Sequence, residues 1–141
     1  MPARRATLAL LATLCAAALG ACGDGSAPAG AHDGRLVVTL DEFRVRPERI
    51  RVAAGRLEIV ARNAGVLAHD VAVLEGRRPL DPASERRYGT SATALPGETV
   101  ALTVRLRPGR YRLACVLANH DNLGQYAELE VVARGRRSDP V

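Results

Sequence analysis

From residue 35 onward, apolar and polar residues alternate with a period of two, and Gly or Pro breaks the alternation at short intervals. Such a chain buries one face of many short strands and wets the other, which predicts an all-β antiparallel sandwich or barrel. Leu36 to Leu40 forms the first candidate strand. Phe43 and Val45 then alternate with Arg44 and Arg46, Ile50 and Val52 follow Pro47, and Leu57 and Ile59 alternate with Glu58 and Val60. Val71 and Val73 continue the series. Val100, Leu102, Val104 and Leu106 share one face of the segment from Thr99 to Leu106, and Pro108-Gly109 turns the chain. Tyr111, Leu113 and Cys115 point one way while Arg110 and Arg112 point the other. Ala127, Leu129 and Val131 close the series against Glu128 and Glu130. Residues 76–97 form the one long connection, with a helical turn expected near Pro82 to Arg87.

Aromatic residues make up 3% of the chain, so Val, Leu, Ile and Ala must fill the core, and their β-branched members favour sheet. A length of 141 residues suits one domain with a real core. All 20 basic residues are Arg, which reads as a coding bias and carries no function. The formal charge of +5 falls to +3 when Arg4 and Arg5 leave with the leader, and the other Arg residues are scattered rather than striped. That argues against nucleic-acid binding.

Residues 1–21 read as a signal peptide: Arg4 and Arg5 give a positive start, and Ala6 to Ala18 is an apolar run too short to span a bilayer. Leu19-Gly20-Ala21-Cys22 resembles the lipobox of bacterial lipoproteins, which implies lipidation of Cys22 and export to the outer face of the cytoplasmic membrane or the periplasm. The alternative is an ordinary cleaved leader with a chance Cys. Residues 22–34 then form a flexible tether with a reach of roughly 20 Å, in which His32 is filler. Residues 134–141 form a charged tail.

Cys15 leaves with the leader and Cys22 goes to lipid, so Cys115 is the lone thiol of the domain spanning residues 35–133. An exported lone Cys is a buried core thiol, a metal ligand or a reactive group. His69 shares a face with Val71 and Val73, and Cys115 shares one with Tyr111 and Leu113, so both point inward at strand ends. Residues 115–125 (CVLANHDNLGQ) add His120 and Gln125 in one loop. One thiolate, two imidazoles and a weak axial donor make up the trigonal copper site of electron-transfer proteins.

Asn63-Ala64-Gly65 before His69, Pro96-Gly97-Glu98-Thr99, Pro108-Gly109-Arg110-Tyr111 and the loop from Cys115 to Gln125 together resemble the cupredoxin family, in this order and across nearly the whole domain. The loop is most similar to the stellacyanin branch of phytocyanins, with its Cys-x4-His-x3-Gly-Gln pattern. The resemblance implies a Greek-key β-sandwich or barrel and one mononuclear type 1 copper, with His69, Cys115 and His120 as strong ligands and Gln125 as axial donor. At Gln125 an exposed loop residue, leaving copper three-coordinate or water-capped, stays open. Asp70 stands where the family often has Asn, no Pro precedes His120, and Asp121 replaces a phytocyanin Cys. The Asp70 departure bears on the hydrogen bond that braces the Cys loop.

Val66, Leu67, Leu117 and Leu123 flank the ligands, either as a docking patch for redox partners or as ordinary loop packing. Arg77-Arg78 and Arg86-Arg87 read as solvated. Asn119 occupies the place of the second Cys that a dinuclear purple centre needs, and no His-x-His motif of a multicopper oxidase is present. The sequence therefore predicts an electron carrier at a membrane surface, not an enzyme. The alternatives are a copper-delivery lipoprotein and a metal-free interaction module on the same fold.

Overall fold

The computed structural model describes residues 29–79 and 82–134. The leader, Cys22, the first part of the tether and the tail beyond Arg134 lie outside the described residues. Among the described residues nine strands follow in order: β1 (Arg35–Asp41), β2 (Arg44–Arg46), β3 (Arg49–Ala53), β4 (Gly55–Asn63), β5 (Ala72–Glu75), β6 (Arg87–Thr90), β7 (Thr99–Leu106), β8 (Gly109–Ala114) and β9 (Tyr126–Val132). They form two sheets, of order β2-β1-β4-β7 and β3-β9-β8-β5-β6. Among the described residues no helix is long and apolar enough to cross a membrane.

The period-two pattern converts directly into burial. In β1, Leu36, Val38 and Leu40 are buried between more exposed neighbours, and in β9 Ala127, Leu129 and Val131 do the same. These side chains join Ile50, Leu57, Ile59, Val104 and Leu113 in one core between the sheets. Each Leu or Ile buried there contributes about 1.5–3 kcal/mol. Tyr111 closes one end of the core, donating its hydroxyl to the Arg107 carbonyl at 2.9 Å.

Several expectations shift in three dimensions. The sheets are mixed rather than purely antiparallel, because β1 runs parallel to β4 and β3 runs parallel to β9. Neither pair is adjacent in sequence, so no hairpin pattern announces it. The connection from 76 to 97 holds an extra strand, β6, paired antiparallel to β5, and its helical turn is a 3-10 turn at Pro82–Ser84. Phe43 stands outside the strands, in the β1–β2 turn, with φ of 62° and its ring partly exposed. Arg112 lies on the outer face of its sheet, yet it is buried there, because Glu85 from the turn before β6 pairs with its guanidinium and its Nε–H donates to the Glu75 carbonyl. Within the expected tether, Ala29 exchanges backbone hydrogen bonds with Arg49 and Arg51 on β3.

Candidate metal centre

At one end of the sandwich, the loop after β4 and the loop after β8 meet. Cys115 follows β8 directly and is fully buried. Beyond it the chain makes a 3-10 turn over Leu117–Leu123, with Ala118 and Asn119 at positive φ and Gly124 in the left-handed region at φ 102°. Gly is suited to that last position because it has no Cβ to clash, whereas Ala118 bears a modest strain. The loop closes on itself: Asp121 N–H donates to the Cys115 carbonyl at 2.9 Å, Gln125 N–H to the His120 carbonyl, and Cys115 N–H to the Gln125 carbonyl, both at 3.1 Å. This strapping brings His120 back over Cys115.

His69 reaches the same point from the other side. It forms a bridge with Ala94, each donating its N–H to the other's carbonyl at 3.0 and 2.7 Å. Asn63, the last residue of β4, anchors the loop between. Its side-chain N–H groups donate to the Leu67 and Ala94 carbonyls at 2.7 and 2.9 Å, and its oxygen accepts from Gly65 N–H at 2.9 Å. A fully buried amide with both N–H groups and its oxygen hydrogen-bonded is a strong local constraint.

His69, Cys115 and His120 therefore converge, with one donor atom of each lying within 4.8 Å of the others. The Cys115 Sγ stands 3.7 Å from His69 Nδ1 and 3.5 Å from His120 Nδ1. Nitrogen and sulfur bonded to one ion at about 2.0 and 2.3 Å are separated by roughly 3.5 to 3.7 Å at tetrahedral to trigonal angles. The spacing fits a single metal ion. The imidazole rings meet edge-on with centroids 5.2 Å apart, and Phe43 packs edge-on against His120 at 5.8 Å. His32 stays outside the cluster, exposed beside Asp33.

Gln125 is buried, and its amide nitrogen donates to the Asp41 carbonyl at 2.6 Å. Only the nitrogen can make that bond, so Oε1 is turned away from it. That oxygen is buried without a hydrogen-bond partner. Such an acceptor calls for a compensating group.

Burial pushes the Cys115 thiol up to about 11, against the smaller opposing effects of the Asp70 and Leu117 backbone N–H groups. At neutral pH the metal-free site thus holds a thiol, and a cation must displace its proton. The loop brace survives the Asn-to-Asp departure. Asp70 N–H faces Sγ at 3.5 Å, and the Asp70 carboxylate accepts from Val116 N–H at 2.8 Å, a role for which its oxygen serves as well as an Asn oxygen.

Two contributors lacked a local signal. Glu42, in the β1–β2 turn, accepts from Val66 and Leu67 N–H at 2.7 and 3.0 Å, and those bonds, Leu67 first, lower its carboxyl below its ordinary range. Arg78, expected to be solvated, pairs with Asp121 at 2.8 Å and with Asn122, both beside His120. Among the flanking apolar residues Val66, Leu67 and Leu123 are exposed, while Leu117 is half-buried.

No protein-family model matches the chain, and no curated protein matches it by sequence. Solved structures do. A dithionite-reduced auracyanin from the photosynthetic bacterium Roseiflexus castenholzii superposes with a TM-score of 0.62 at 16% identity, covering 73% of this chain and 99% of that one. Auracyanin A, a blue copper protein of the green thermophilic photosynthetic bacterium Chloroflexus aurantiacus, gives 0.57 at 20% identity over 70% of this chain and all of the other. An auracyanin B gives 0.59 at 17% identity, with 75% and 91% covered. The fold is thus that of a cupredoxin β-sandwich.

Proposed function

We propose that this protein is a blue-copper electron carrier holding one copper ion through His69, Cys115 and His120, with Gln125 as axial donor. The observation that carries the reading is the buried triad, one sulfur and two Nδ1 atoms at single-ion spacing, on a fold shared with auracyanins. Copper held there would supply a one-electron couple. The chain's own task is to keep the donors still. Asn63 does so through a buried hydrogen bond and Asp70 through a part-buried one, and a cage that changes little between oxidation states favours fast transfer. The unpartnered Gln125 oxygen supports an axial role for that residue, and no Met competes, since the single Met of the chain is Met1.

His69 and Cys115 are wholly buried and His120 is 9% exposed. Enclosure favours a carrier over a delivery protein, which must surrender its metal. Phe43, Val66, Leu67 and Leu123 offer exposed apolar surface near the ligands for redox partners. The lipobox-like segment at Cys22 supports tethering to the outer face of a membrane, where several acyl chains hold firmly.

The test is to add Cu(II) to the purified protein and look for the intense thiolate-to-copper band and narrow copper hyperfine splitting of a type 1 site. Cys115→Ser should abolish the band while the β circular-dichroism signal persists. A band that survives the substitution would overturn the ligand assignment.

A further inference from the structure

Glu42 has no part in the ligand set, yet the surrounding chain is shaped around its carboxylate. Its Oε1 accepts the N–H groups of Val66 and Leu67, and the same oxygen stands 3.6 Å from Nε2 of His69. That imidazole is fully buried, and Nε2 has no hydrogen-bond partner. At 3.6 Å the contact is between the carboxylate charge and the ring N–H dipole rather than a formed hydrogen bond. Gly65 makes room for it. A methyl group on Gly65 would stand 2.9 Å from Glu42 Cδ and 3.0 Å from Oε2, so a side chain there must displace the carboxylate. Gly65 has no positive φ, and space is the reason for Gly here.

A neutral imidazole carries one N–H, and a carboxylate can only accept. With Glu42 facing Nε2, the proton belongs on Nε2 and the lone pair on Nδ1, the nitrogen that faces Cys115. Carboxylate–histidine–metal arrangements fix ring orientation and raise the basicity of the ligand in this manner. A fixed negative charge beside a ligand also favours the more positive oxidation state of the ion it holds.

We propose that Glu42 is a positioning residue for His69: its carboxylate holds the Nε2–H tautomer and keeps the reduction potential of the site low. The electrochemical half rests on the copper reading above, whereas the tautomer half does not. Two measurements separate them. In the metal-free full-length protein, nitrogen NMR should show His69 as the Nε2–H tautomer in wild type and a shift toward Nδ1–H in Glu42→Ala and Gly65→Ala. In the copper-loaded protein, Glu42→Gln keeps an oxygen for Val66 and Leu67 but removes the charge. It should retain the blue band and move the Cu(II)/Cu(I) equilibrium toward Cu(I) by about tenfold, about 59 mV upward for a one-electron couple. Gly65→Ala should raise the potential in the same direction with Glu42 still present in the sequence.

A potential unchanged or lowered in Glu42→Gln, with the blue band intact, would overturn the charge role and leave Glu42 a loop cap. An unaltered tautomer in Glu42→Ala would overturn the orienting role. If wild type takes up copper without colour, the copper reading fails, and the metal-free NMR still decides whether Glu42 orients His69.

Discussion

His69 is held by groups from distant parts of the chain, whereas Cys115, His120 and Gln125 ride on one loop that braces itself. The His69 side depends on partners distant in sequence: Asn63 bonded to Ala94, Glu42 bonded to Val66 and Leu67, and a backbone bridge between His69 and Ala94. The loop side depends on neighbours, with Cys115, Asp121, His120 and Gln125 bonded among themselves and two residues at positive φ near its tip. One half of the site is thus preorganised by the whole fold, and the other by local closure. Asp70 and Arg78 join them, the first through Val116 and the second through Asp121 and Asn122.

On that contrast, substitutions on the distantly braced His69 side should cost more stability than those at the junction. The largest effect is expected at Asn63→Ala, which strands the buried Ala94 carbonyl together with the part-buried Leu67 carbonyl and Gly65 N–H. A loss of about 3–5 kcal/mol in chemical denaturation is the expected result. A loss under about 1 kcal/mol would mean that the His69 arm is not the stiffer half. Next comes Asp70→Ala, which removes the acceptor for Val116 N–H and should cost about 2 kcal/mol and broaden the copper hyperfine lines. Asp70→Asn keeps an acceptor oxygen and should restore most of both. Equal losses in the two variants would show that charge, not the hydrogen bond, joins the halves.

The far end of the loop is sharpened by Gln125→Met. Exchanging the amide oxygen for a soft thioether should favour Cu(I), shifting the redox equilibrium by about tenfold, near 59 mV upward. Voltammetry showing a fixed or lower potential would mean that Gln125 does not approach the ion. An effect absent at neutral pH and confined to alkaline pH concerns the buried thiol of the metal-free protein. Cys115 ionises at about 11 when folded and at 9.0 as its ordinary value. Between those values the unfolded chain binds fewer protons, so stability falls as pH rises, by at most about 1.4 kcal/mol per pH unit. Below pH 9 the effect vanishes. Denaturation of Cys115→Ser across this range should lack that slope, and an identical slope in both proteins would assign it to other groups.

How much of this was legible beforehand follows the same division. Alternation of side chains along a strand is a property of adjacent residues, so Leu36, Val38, Leu40, Leu129 and Val131 declared their burial in the sequence itself. The spacing from Cys115 through His120 to Gln125 is likewise local, and it placed three donors on one loop before any fold was known. Tertiary structure alone decided the parallel pairing of β1 with β4 and of β3 with β9, the burial of Arg112 under Glu85, and the approach of Glu42 to His69 across the space left by Gly65. Each of these joins residues far apart in the chain through a charge, a hydrogen bond or a close approach. Sequence periodicity records which face a residue occupies, and it holds no record of which distant group will arrive opposite.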